Sequence, residues 1–165
     1  MTRSLCIRSR SPEETQAVGE AIGVQAQPGD AYLLTGTLGA GKTCLTQGIG
    51  RGLEVPGYVR SPTFVLTHKH RGRLLLNHLD LYRIGGPSEA WDLGLDEQLF
   101  GDGVCVVEWA DRAEELFPPG CCWISLEYGP GDDCRDLTFS TESPRYAALL
   151  RGLAATFPVT EEVNP

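Results

Sequence analysis

Residues 36 to 43 read Gly-Thr-Leu-Gly-Ala-Gly-Lys-Thr, the spacing G-x-x-x-x-G-K-[ST] of a phosphate-cradling loop. Each residue type has a chemical task. Gly36, Gly39 and Gly41 permit backbone conformations and a close approach that a Cβ would block. The loop N–H groups then converge on phosphate oxygens, at the positive end of a helix that starts near Lys42. Lys42 brings a mobile point charge to the β and γ phosphates. Thr43 offers a hydroxyl to Mg²⁺. The chemistry implied is binding of a nucleoside triphosphate with Mg²⁺. Contacts are expected from Leu38, Gly39, Ala40, Gly41, Lys42, Thr43 and Cys44.

Phosphate binding alone hydrolyses nothing; a metal must be held and a water oriented. Carboxylates at the ends of apolar strands are the expected suppliers. Two fit: Asp80 after Leu74-Leu75-Leu76-Asn77-His78-Leu79, and Glu108 after Val104-Cys105-Val106-Val107. Residue pattern alone leaves open which one touches the metal and which one the water. Ser61-Pro62-Thr63-Phe64 is a candidate segment for sensing the γ-phosphate, with Thr63 offering a hydroxyl; a plain turn is the competing reading. His78, Tyr82, Arg83 and Trp109 sit beside the carboxylates. For these, packing or surface roles compete with ligand contact.

The elements must deliver these groups to one place. Ala31 to Leu34 reads as a short strand after the turn Pro28-Gly29-Asp30, and Lys42 onward as a helix with Leu45 and Ile49 on one face. Strand, glycine-rich loop and helix are the context the loop motif requires. Leu5-Cys6-Ile7 suggests a first strand. Ser11-Pro12-Glu13-Glu14 is a helix start with Ser as N-cap, and Ala17, Val18, Ala21 and Ile22 form its apolar stripe. Phe64 to His68 and Leu74 to Leu76 read as a strand pair around Arg71-Gly72-Arg73. A short helical region spans Glu89 to Leu99, and another Ala113 to Leu116. Val104 to Val107 reads as a fully buried strand. Trp123 to Leu126 and Leu137 to Phe139 are late strands. Ser143 to Phe157 reads as a last helix with Ala147, Leu150 and Ala154 on one side. One domain over 1–158 is expected, followed by a disordered acidic tail over 159–165.

Composition narrows the function class. The chain has 165 residues and a net charge of −8, which argues against a broad electrostatic grip on DNA or RNA. No apolar stretch reaches the ~20 residues of a membrane span, and the N-terminus is too polar for a secretory signal. Cytoplasmic location is the expectation. Cys6, Cys44, Cys105, Cys121, Cys122 and Cys134 form no C-x-x-C pair and are read as reduced thiols, with Cys105 a small core hydrophobe.

The four segments, Gly36 to Thr43, Ser61-Pro62-Thr63-Phe64, His78-Leu79-Asp80-Leu81-Tyr82-Arg83 and Glu108-Trp109, together resemble the TsaE (YjeE) family over roughly residues 10 to 140. Leu93-Gly94-Leu95 followed by Asp96 and Glu97 adds to the likeness. The resemblance implies an α/β fold, a compact P-loop NTPase-like sheet of mixed strands flanked by helices. It implies ATP and Mg²⁺ as cofactors, and slow ATP hydrolysis supporting a complex of TsaB and TsaD. That complex forms N6-threonylcarbamoyladenosine beside the tRNA anticodon, so tRNA is met only through the partners. By the same resemblance Lys42, Asp80 and Glu108 are catalytic, Thr43 and Glu108 face the metal, Thr63 lies in a switch-like segment, and Trp109 stands near the nucleotide. There are departures. Thr37 stands where an acidic residue is common, His68 and His70 where an aromatic is usual, and Asp136 where a second basic residue often follows Arg135.

Rival readings carry less support. The guanine-reading N-K-x-D element of a small GTPase is missing, and Arg71 with Arg73 makes a thin lid for a small-molecule kinase. A nucleotide-gated binding module, whose hydrolysis only resets docking on a partner, differs from an independent enzyme in being slow by itself.

Overall fold

Tyr32 to Leu34 and Val104 to Val107 are apolar and buried at every position, the pattern of parallel strands covered by helices on both faces. The computed structural model describes residues 1–60, 67–99 and 101–164. The expected segment Ser61 to Phe64, with Thr63, and the start of the strand expected from Phe64 lie outside them. Among the described residues eight strands form one sheet. They are β1 (Arg3–Ser9), β2 (Ala31–Thr35), β3 (Thr67–Arg71), β4 (Leu75–Asp80), β5 (Val104–Glu108), β6 (Cys122–Tyr128), β7 (Arg135–Thr141) and β8 (Val159–Val163). Their order is β3-β4-β5-β2-β6-β7-β1-β8. The central strands β4, β5, β2 and β6 run parallel, and the outer pairs are antiparallel.

Helices cover both faces. α1 (Pro12–Gln25), α2 (Lys42–Gly52) and α5 (Ala147–Thr156) bury Val18, Ile22, Leu45, Ile49 and Leu150 against one face. α3 (Pro87–Asp92), α4 (Leu95–Leu99) and a 3₁₀ segment at Ala110–Leu116 close the other, around Leu33, Leu79, Cys105 and Val107. This mixed α/β sheet is the expected fold class.

Ser11 caps α1 as its residue type demands: its Oγ accepts the Glu14 N–H at 3.1 Å, and the Glu14 carboxylate accepts the Arg10 N–H at 2.6 Å. The buried face of α1 differs from the expected stripe. Ala17 is exposed, and Gly19 and Gly23 are buried with Thr15, Val18 and Ile22. The reason is contact with α2. A Cβ on Gly19 would stand 2.2 Å from the Leu45 carbonyl oxygen, and one on Gly23 would stand 2.3 Å from that of Ile49. In return, Cβ atoms on Gly48 and Gly52 would meet the carbonyl oxygens of Gln16 and Glu20 at 2.1 and 2.2 Å. The two helices meet backbone to backbone, and any side chain at these positions would hold them apart.

Three further expectations are corrected. The helical region expected from Glu89 to Leu99 is split at Gly94, which has φ +78°. The last helix opens as a 3₁₀ turn, Pro144–Tyr146, before α5. The segment 159–165, expected as a disordered tail, instead supplies β8, which pairs antiparallel with β1 from Ser4↔Val163 to Ile7↔Val159. Its side chains are exposed, so backbone pairing rather than burial orders it. All six cysteines are free thiols. Burial pushes Cys121 up to about 11 and raises Cys105 and Cys122 further.

Candidate functional site

The loop that leaves β2 runs straight into α2, and its glycines have the conformations the motif needs. Gly36, Gly39 and Gly41 have φ of +141°, +80° and +106°. At Gly36 a Cβ would also lie 2.4 Å from the Leu126 carbonyl oxygen, so another residue there would push the loop off β6. Strand register brings the carboxylates to the same end. Asp80 is level with Glu108, and Glu108 with Leu34, two residues before Gly36. The carboxyl ends of β4 and β5 therefore face the loop and the N-terminus of α2, where open α/β sheets bind ligands.

A cleft of about 270 Å³ lies there. Leu38, Gly39, Gly41, Lys42, Thr43 and Cys44 line it from the loop and helix, and Asp80, Tyr82, Glu108 and Trp109 from the strand ends. Ala40 does not join them. Its methyl is fully buried and its N–H donates to the Thr37 carbonyl at 3.1 Å. Arg83 is exposed and outside the lining.

Lys42 is 5% exposed. Its ammonium donates to the carbonyls of Gly36 at 2.6 Å and Thr37 at 2.9 Å, and lies 4.0 Å above the centre of the Trp109 ring. Burial lowers its pKa from the usual 10.5, against the raising pull of Glu108, Asp80 and Asp111. Trp109 is placed by backbone strain. It holds φ +57°, the left-handed region that favours glycine, immediately after β5. That turn lays the indole beside Tyr82, with ring centres 4.8 Å apart.

Thr43 Oγ1 donates to Glu108 Oε1 at 2.9 Å, and the other carboxylate oxygen, Oε2, meets Nε2 of the buried His78. Asp80 Oδ1 accepts the Tyr82 N–H at 2.9 Å. The donor set fits Mg²⁺, a hard ion that takes oxygen ligands. Two cis oxygens on an octahedral ion with bonds of ~2.0–2.1 Å stand ~2.9 Å apart, the separation found between Thr43 and Glu108. Among the described residues no cluster of three or more His, Cys, Asp or Glu is arranged to hold a metal.

Two residues outside the motifs brace the loop. Tyr128 Oη donates to the Leu38 carbonyl at 3.3 Å, and Arg135 reaches the Gly39 carbonyl at 3.4 Å while stacking on Tyr128 at 4.2 Å. Roughly 90 residues of sequence separate them from the loop, and no local spacing signals the contact.

Comparison with known proteins places the chain in a family. Residues 9–136 match the family model described as "Threonylcarbamoyl adenosine biosynthesis protein TsaE". The tRNA threonylcarbamoyladenosine biosynthesis protein TsaE of Bacillus subtilis is 43% identical over 148 residues, covering 89% of this chain and 92% of that one. That of Treponema pallidum is 39% identical over 118 residues, covering 72% and 87%. The crystal structure of Bacillus subtilis YdiB superposes with a TM-score of 0.79 at 39% identity, covering 94% of this chain and 97% of that one. The chain belongs to the TsaE family of tRNA threonylcarbamoyladenosine biosynthesis proteins.

Proposed function

We propose that the chain binds ATP with Mg²⁺ in this cleft and hydrolyses it slowly, in support of a cytoplasmic TsaB–TsaD complex that forms N6-threonylcarbamoyladenosine on tRNA. The observation that carries the reading is the convergence of Lys42, Thr43, Asp80 and Glu108 on one cleft at the N-terminus of α2. Lys42 and the loop N–H groups bind the β and γ phosphates, with the helix end favouring negative charge. Thr43 and Glu108 would hold the Mg²⁺, whose charge would offset that developing on the transferring phosphoryl group. Asp80 lies at the cleft wall beside Glu108 and orients the attacking water.

Lys42 ties the phosphate site to the conformation of the loop. Its ammonium has three N–H donors and gives two of them to the loop's own carbonyls. A partner that reshapes the loop around Lys42 accelerates the cycle, which brings the switch reading and the ATPase reading together. tRNA is met through the partners, in keeping with the net charge of −8.

Titration with ATP tests the site. Lys42→Ala is expected to lose nearly all affinity, while Glu108→Gln keeps most affinity and loses turnover. Full hydrolysis by both variants would contradict the assignment. Deleting the gene in its host is expected to lower threonylcarbamoyladenosine in tRNA, and an unchanged level would contradict the pathway reading.

A further inference from the structure

His78 takes no direct part in the cleft. Strand alternation puts it on the α2 face of β4, between Leu76 and Asp80 and level with Val106 on β5. Its neighbours Leu76 and Val106 are fully buried core residues. The imidazole is 0% exposed, and it does not line the cleft that Asp80 and Glu108 share. A polar ring in an apolar layer is costly unless a partner compensates it. Among the described residues His78 has one side-chain partner: Nε2 meets Glu108 Oε2, and Nδ1 is buried with no hydrogen bond.

The consequence falls on Glu108. A glutamate has three side-chain torsions, and fixing such a chain costs rotamer entropy. Here each carboxylate oxygen is held by a different element. Oε2 is turned inward by His78 on β4, which leaves Oε1 facing the Thr43 hydroxyl at 2.9 Å on the first turn of α2. Without His78, the carboxylate's one side-chain hydrogen bond among the described residues is that from Thr43, which a metal ion would have to replace. A partner that orients a ligand from behind in this way changes metal affinity by about 10–100-fold.

We propose that His78 is a positioning residue for Glu108: it presents Oε1 to the cleft and thereby sets how strongly Mg²⁺ tightens nucleotide binding. The inference rests on the reading of Glu108 as the metal-facing carboxylate. It is tested with N-methylanthraniloyl-ATP, titrated in Mg²⁺ and in EDTA against the wild type, His78→Leu, His78→Asn and His78→Gln. In the wild type Mg²⁺ tightens binding. In His78→Leu the Mg²⁺-linked gain falls by about 10–100-fold while affinity in EDTA stays unchanged. His78→Gln, whose amide nitrogen reaches as far as the imidazole Nε2, restores most of the gain; His78→Asn, one carbon shorter, does not. Should the leucine variant fail to fold, the Asn and Gln pair carries the comparison. An unchanged Mg²⁺-linked gain in His78→Leu, or in His78→Asn, overturns the proposal. So does an equal loss in Mg²⁺ and EDTA, which marks a purely structural role. Absence of any Mg²⁺-linked gain in the wild type would instead overturn the reading of the cleft itself.

Discussion

Gly48→Ala is expected to destabilise the protein although it replaces a helix-disfavouring residue with the best helix former. The propensity change alone would stabilise α2 by about 1 kcal/mol. Against it stands the contact with α1. The new methyl would lie 2.1 Å from the Gln16 carbonyl oxygen and 2.9 Å from its carbon, whereas ordinary carbon–oxygen contacts begin near ~3.3 Å. Relief requires the helices to separate by roughly 1 Å, and both are backbone at this point, so no rotamer can give way. Overpacking of a tight core costs about 1–3 kcal/mol, and a rigid backbone neighbour puts this case at the upper end. The net loss is about 2 kcal/mol, or about 1 M in the urea midpoint at an m-value of ~2 kcal/mol/M. Equilibrium urea unfolding measures it, with Gly120→Ala as the control, because a Cβ there meets nothing within 4 Å. A midpoint for Gly48→Ala equal to or above the wild type would refute the backbone-contact argument. α2 carries Lys42 and Thr43 on its first turn, so nucleotide affinity is expected to fall with stability.

Other outcomes follow from the same structure. Lys42→Met removes a cation whose pKa burial has lowered. Between that lowered value and 10.5 the unfolded chain binds more protons, so wild-type stability gains from rising pH in this window; the variant loses that gain in alkaline urea titrations and does not bind ATP. Iodoacetamide at pH 8 is expected to reach half-buried Cys44 and Cys6 and to spare Cys105, Cys121 and Cys122. Burial raises the Cys44 pKa, so its labelling quickens as pH rises, and ATP protects Cys44 alone, because Cys44 lines the cleft; peptide mass mapping reads both. Ending the chain at Pro158 deletes β8, whose side chains are exposed. The fold is expected to persist, with hydrogen exchange accelerated in Ser4 to Ile7, and loss of the folded state would show that β8 does more than pair.

What the sequence made legible was local. β2, the glycine-rich loop and α2 lie within 22 consecutive residues, and their apolar runs and glycines declare them. Asp80 and Glu108 end runs that read as strands, so their shared edge followed once the strands were parallel neighbours. The rest depended on contacts far apart in sequence. Glycines in a helix read as weak points, and nothing in α1 alone shows that Gly19 and Gly23 face a second glycine pair on α2. The charged segment Thr160-Glu161-Glu162 carries no burial signal, and β8 exists because β1 offers a free edge. The Tyr128 and Arg135 brace joins β6 and β7 to a loop about 90 residues earlier. His78 was visible beside Asp80, but its contact with Glu108 spans 30 residues and appears only when β4 and β5 align.

Steady-state phosphate release from Mg²⁺-ATP, by the chain alone and with added TsaB and TsaD, tests the central claim most directly. Slow release that rises with the pair, and that Glu108→Gln abolishes in both conditions, is the predicted result. Rapid release by the chain alone, unchanged by the pair or by Glu108→Gln, would contradict the account.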